Sequence, residues 1–139
     1  MNNTADASRP LPLKGLHVVE FTHMVMGPTC GIVLADMGAE VIKVEPIDGD
    51  RTRHLLGAGA GFFPMFNRNR KSIAIDLRNP AGAEVARKLA ASADVVAENF
   101  KPGTMGNEPI RFQFFDQNGF RLSQRLSQRL SLPDFHADS

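Results

Sequence analysis

The chain has 139 residues, 42% of them hydrophobic and 22% charged, which suffices for one domain with a real core. A net charge of +1 supplies no global basic field for nucleic acid or for an anionic membrane surface. One Cys and four His exclude a disulfide framework and argue against a Cys-based metal site, and without Trp or Tyr the Phe residues carry the aromatic packing.

The opening MNNTADASRPLP has neither the basic nor the apolar region of a signal peptide and reads as a disordered leader over residues 1–12. No apolar run approaches the roughly 20 residues of a membrane span, so a cytoplasmic protein without a membrane partner is expected. GLHVVEF (15–21) is a Val-rich apolar run and predicts a buried strand. Gly27 is expected to free the backbone for a tight turn, with Pro28 in the first turn of a helix. The following TCGIVLADMG offers Ile32, Val33, Leu34 and Met37 to the core, places Cys30 as an inert buried thiol, and ends at Gly38, where a left-handed cap belongs. AEVIKVE (39–45) predicts a second buried strand, and strand, helix, strand makes a parallel βαβ unit.

Residues 46–71 form a long irregular stretch, with a turn at Asp48-Gly49-Asp50 and a flexible GAGAG. SIAIDL (72–77) alternates as a strand does. Asn79 is a natural N-cap, Pro80 suits the first helical position, and Val85, Leu89 and Ala93 lie along one face of the helix that follows. DVVAEN (94–99) predicts the next strand. The expected fold is α/β, a Rossmann-like and mainly parallel sheet, incomplete, with an unmatched C-terminal tail. Ligands of such sheets bind beyond the carboxyl ends of the strands, here at residues 22–28, 45–50, 76–78 and 99–103.

The character changes after Met105. GNEPIRFQFFDQNGF has no clear period, and RLSQRLSQRLS is a four-residue repeat. On a helix it puts Leu122, Leu126 and Leu130 on a drifting stripe, but about 11 residues alone make a marginal helix in water. It reads as translated tandem-repeat DNA, as a solvated tail or as a partner contact. Residues 106–139 carry no net charge, which weakens a nucleic-acid reading.

A dinucleotide fold wants G-x-G-x-x-G after the first strand, and only Gly27 is there. Glu45 stands where a ribose-binding acid sits in such folds, so binding of NAD rests on one glycine and one acid. FNRNRKS groups Arg68, Arg70 and Lys71 just before a strand. The cluster is either a solvated basic loop or a phosphate clamp. His23 stands at the end of the first strand, as an active-site edge or as a packing residue. No Ser/His/Asp set, metal-ligand spacing or P-loop can be assembled, so no metal is expected.

Three blocks taken together are more specific than any one. LKGLHVVEFTHMVMGPTCGIVLADMGAEVIKVEPIDGDRTR, FNRNRKSIAIDL and DVVAENFKPGTM, in that order, resemble the family III coenzyme A transferases, relatives of formyl-CoA and carnitine-CoA transferases and of the 2-methylacyl-CoA racemases. The likeness covers residues 13–105 and leaves 106–139 as an unrelated tail, out of frame or disordered. It implies an intertwined homodimer whose Rossmann-like part binds coenzyme A (CoA) or acyl-CoA as substrate. In the transferases it implies an Asp carboxylate that attacks the thioester and carries CoA to a second acid. Carried over by position, Val25 and Met26 line the CoA site. Ile75, Asp76, Leu77 and Arg78 hold the nucleotide, and Asn99, Phe100 and Lys101 meet its adenosine and pyrophosphate portion. Arg68, Arg70 and Lys71 supply positive charge nearby. The catalytic Asp of the family lies beyond the matched region, so the resemblance gives no catalytic residue here and implies a truncated chain, inactive alone. A CoA-binding fragment without catalysis and a racemase relative are the rival readings.

Overall fold

The computed structural model describes residues 10–100. Residues 1–9 of the expected leader and all of 101–139, including the tandem repeat, lie outside the described residues. Four strands, β1 (His17–Phe21), β2 (Glu40–Glu45), β3 (Lys71–Ala74) and β4 (Val95–Glu98), form one sheet in the order β3-β2-β1-β4. All three pairings are parallel, with Val18 opposite both Val41 and Val95. This α/β arrangement is one half of a doubly wound fold, and the strand order reverses between β1 and β4.

Alternation along the strands sends side chains to two faces. Val18 and Val41 pack with Ala35 and Ala39 around helix α1 (Met26–Asp36). Val19, Phe21 and Val44 pack with Ile75 and the alanines of helix α3 (Pro80–Ser92). Both helices meet the sheet through small residues: Gly27, Gly31 and Ala35 on α1, and Ala83, Ala86 and Ala90 on α3. Small residues let the helix axes approach closely, and that selects which residues end up inside. Val33 and Met37 are exposed, contrary to the expectation that they feed the core, and so is Val85 on α3. Cys30 is exposed rather than buried, because Gly31 and Ile32 occupy the inward side of that turn.

The helix ends agree with their sequence signals. Asn79 accepts a hydrogen bond from the Ala81 N–H at 2.9 Å, and Pro80 opens α3. Gly38 follows α1 with φ +102, and a Cβ there would stand 2.6 Å from that of Leu11. The long connection from β2 to β3 is more ordered than its composition suggests. It holds 3₁₀ turns at Arg51–His54 and Gly57–Gly59 and a short helix α2 (Phe62–Phe66). Among the described residues, no helix is long and apolar enough to cross a membrane.

The sheet buries charge as well as hydrocarbon. Glu20 and Lys43 are register partners on the face under α1, exposed by 0% and 1%. Arg70 pairs with Glu20 and also donates to the carbonyls of Pro28 and Phe66 at 2.6 and 2.8 Å. Lys43 pairs with Asp50 at 2.8 Å. The result is an alternating row, Arg70–Glu20–Lys43–Asp50, with Gly31 of α1 over its Arg70–Glu20 end. A Cβ at Gly31 would collide with the Glu20 carboxylate and stand 2.7 Å from an Arg70 guanidinium nitrogen. Gly31→Ala is therefore expected to cost about 2 kcal/mol or more of stability by pushing this pair apart. Val85→Ala, at an exposed site, should stay within about 0.5 kcal/mol. Urea denaturation of the two variants checks this, and equal midpoints would show that the row tolerates displacement.

Candidate functional site

The site begins where the strand order reverses. After β1 the chain runs through Thr22 and His23 and turns at Met24, which takes the left-handed conformation with φ 64. The tight turn thus rests on Met24 and not on Gly27, which lies inside α1 without a positive φ. Gly27 serves close approach instead: a Cβ there would stand 2.7 Å from Thr22 Cβ and 2.8 Å from Asn99 Cγ.

Asn99 follows β4 and closes the junction. Its Oδ1 accepts from the His23 N–H at 3.0 Å, and its Nδ2 donates to the His23 carbonyl at 2.9 Å. Only an amide side chain offers a donor and an acceptor with that reach. Phe100 stacks on the His23 ring, with centroids 5.2 Å apart and planes at 25°. The loops leaving β1 and β4 are thereby held as one piece.

Beside this junction, over the carboxyl ends of β1, β2 and β3, lies a cavity of about 730 Å³. Phe21, Thr22, Lys43, Val44 and Glu45 line its strand side, residues 46–51 and 75–78 form its walls, and His23, Met24 and Phe100 complete it. Its size and position are those of a small-molecule site in an open α/β sheet.

The charged groups at its base are mostly occupied. Lys43 Nζ donates to the Thr22 carbonyl at 2.9 Å as well as pairing with Asp50. Burial pushes the Asp50 carboxyl up, but hydrogen bonds from Lys43 and from the Thr52 N–H and hydroxyl outweigh it and hold the group below its usual range. Glu45 is filled more completely. Its Oε1 accepts from Arg53 Nη2 at 2.8 Å and Ser72 Oγ at 2.6 Å, and its Oε2 from Arg53 Nε at 2.8 Å and the Asp50 N–H at 2.9 Å. Burial pushes this carboxyl up as well, but the four donors win and hold it at about 2. A carboxylate accepts about four such bonds, so Glu45 has none left for a ribose hydroxyl. The acid that suggested a dinucleotide site is structural.

Of the residues singled out in the sequence, Ile75, Asp76, Leu77, Arg78 and Phe100 line the cavity. Asn99 builds the junction beside it. Val25 caps α1 and Met26 opens it, one and two residues beyond the lining Met24. Lys101 lies outside the described residues. The basic cluster is not brought to the cavity. Arg68 makes a two-pronged pair with Asp36 at 2.8 and 2.7 Å, Arg70 is buried against Glu20, and Lys71 pairs with Glu40 at 2.7 Å. Thr22 and Asp50 fall in the strand-end segments expected to meet a ligand, whereas Lys43 and Arg51 lie outside every expected segment. The available signal was a charge inside an apolar strand, at Lys43 of EVIKVE. Among the described residues no group of His, Cys, Asp and Glu is placed to hold a metal ion.

A family model described as CoA-transferase family III matches residues 13–113. The chain is 47% identical over 98 residues to formyl-CoA:oxalate CoA-transferase of Afipia carboxidovorans, covering 67% of this chain and 23% of that protein. It is 46% identical over 101 residues to succinyl-CoA–D-citramalate CoA-transferase of Chloroflexus aurantiacus, covering 69% of this chain and 25% of that one. Among solved structures, a CaiB/BaiF family protein from Brucella suis is similar at a TM-score of 0.64 and 43% identity, over 70% of this chain and 28% of that one. The chain thus spans about a quarter of the length of the relatives it matches.

The Glu45 carboxyl, at about 2 in the fold against 4.5 for an ordinary Glu, sets a pH dependence. A depressed acid stabilises the fold above its unfolded value and loses that contribution as pH falls towards the folded value. The stability gap between the wild type and Glu45→Gln is expected to be on the order of 3 kcal/mol at neutral pH. It should narrow by roughly 1.4 kcal/mol per unit below about pH 4. Urea midpoints measured from pH 7 to pH 3 test this, and a gap independent of pH would refute it.

Proposed function

The chain belongs to CoA-transferase family III, and on that premise we propose that it contributes the CoA-binding part of an enzyme that moves CoA between carboxylic acids. The observation that supports this reading is the cavity beside the β1/β4 junction, walled by residues 75–78 and Phe100, five of the positions carried over from the family. The nucleotide end of the thioester lies in the cavity, with Arg78 as a cation for phosphate, Ile75 and Leu77 against the adenosine, and Phe100 over it. Val25 and Met26 border the path of the pantetheine arm towards the reacting carbonyl.

The chemistry proposed for the whole enzyme is covalent. An Asp carboxylate adds to the acyl-CoA carbonyl and expels the CoA thiolate, leaving a mixed anhydride. The thiolate attacks the Asp-derived carbonyl and releases the first acid, leaving an enzyme thioester. The second acid attacks that thioester and again frees the thiolate, which takes the new acyl group and restores the Asp. We assign the nucleophile to none of the described carboxylates. Glu45 and Asp50 are consumed by buried cations and hydrogen bonds. The contribution of this part is placement: binding energy from the nucleotide fixes the thioester carbonyl where a carboxylate can meet it.

Binding is the direct test. Calorimetric titration of the 139-residue chain should show uptake of CoA and none of NAD. Asn99→Asp keeps the acceptor to the His23 N–H but loses the donor to its carbonyl, and CoA affinity should fall by about tenfold. NAD bound as tightly as CoA would return the cavity to a dinucleotide reading.

A further inference from the structure

Resting on the CoA reading above, we propose that Arg51 is a phosphate-anchoring residue of this cavity, acting beside Arg78, a role the basic cluster does not supply. The described residues hold ten Lys and Arg side chains, and eight of them pair with a carboxylate within 4.0 Å. The two without such a partner are Lys14 and Arg51. Lys14 is not among the cavity residues, whereas Arg51 lines the wall. The other cations of the lining are Lys43, committed to Asp50 at its base, and Arg78, 3.2 Å from the Asp76 carboxylate. Arg78 is itself 88% exposed, but Arg51 is the cation of the lining that no carboxylate of the described residues holds.

Its backbone is also fixed in advance. Arg51 opens the 3₁₀ turn between Asp50 and Thr52, which are buried and tied by two hydrogen bonds from Thr52 to Asp50 Oδ1, at 2.9 and 2.8 Å. Asp50 is tied in turn to Lys43 and, through its N–H, to Glu45. The Arg51 side chain therefore departs from an anchored Cα into open space beside the cavity. A guanidinium presents paired donors in a plane that matches two phosphate oxygens. CoA offers such groups in its pyrophosphate and in its ribose phosphate. Asp48, also on the lining and without an ion-pair partner among the described residues, opposes an anion there. It sets the opposite sign for a second variant.

The experiment is calorimetric titration of CoA and dephospho-CoA into the full chain and its Arg51→Ala, Arg51→Lys, Asp48→Asn and Lys14→Ala variants, each first checked for the wild-type circular dichroism. Arg51→Ala should weaken CoA by about tenfold or more, Arg51→Lys should restore part of the loss, and Asp48→Asn should tighten binding. Lys14→Ala removes an equally unpaired charge away from the cavity and should change affinity by less than about twofold. If the Arg51→Ala loss vanishes with dephospho-CoA, the partner is the ribose phosphate; if it persists, the pyrophosphate. Wild-type binding of CoA with an indifferent Arg51→Ala overturns the Arg51 assignment and leaves the CoA reading standing. A folded wild type that ignores CoA overturns both.

Discussion

The buried row Arg70–Glu20–Lys43–Asp50 is the constraint around which this structure is arranged. Four charges are buried in a line, two of them on adjacent strands, and each has a neighbour of opposite sign. Burial pushes the Glu20 carboxyl up, against the pull of Arg70 and Lys43. Removing one member of such a pair costs about 3–5 kcal/mol, against a typical total stability of 5–15 kcal/mol. The row explains features that look unrelated in the sequence. Gly31 must lack a side chain to let α1 close over it, and the 46–70 connection must fold back to deliver Arg70 and Asp50.

The same row prepares the site. Lys43 ends under the cavity, where it ties the Thr22 carbonyl to Asp50, so the loops after β1 and β2 are joined from below. Asn99 joins the loops after β1 and β4 from the side. The cavity opens over the ends of β1, β2 and β3, beside the point where the strand order reverses, and these two ties hold its walls. Rigid support under a binding surface limits the ordering cost on ligand capture. The chemistry left to the rim is then simple: apolar surface from Ile75, Leu77 and Phe100, and charge from arginines.

Much of the fold was legible because it depends on local signals. Val-rich runs, the Asn79-Pro80 start and the Gly38 stop act over a few residues, and the structure places strands and helix ends close to where they point. The parallel sheet follows from alternation of strand and helix. The helix faces were harder. Val33 and Met37 are apolar and expected in the core, yet they are exposed, because hydrophobicity alone does not say which face is inward when Gly and Ala set the packing distance. Cys30 was misplaced for the same reason. The irregular 46–71 stretch hid its order because 3₁₀ turns held by side chains leave no periodic pattern. Of the residues that line the cavity, positions 75–78 and Phe100 are legible through the family pattern, while Lys43 and Arg51 carry no such signal.

What the sequence determined by itself is the succession of elements, the parallel sheet and the family likeness, since propensity, periodicity and ordered motifs are properties of the chain. What only the tertiary structure decided is how the charges are spent. Arg68, Arg70 and Lys71 look like a phosphate clamp when read in a line, and Glu45 looks like a ribose acid. Folding supplies Asp36, Glu20 and Glu40 to the three cations and Arg53, Ser72 and the Asp50 N–H to Glu45. Arg70 and its partner are separated by 50 residues, and Arg68 and its partner by 32. A charge is available to a ligand only if no nearer opposite charge has claimed it, and nearness across such separations exists only once the chain has folded.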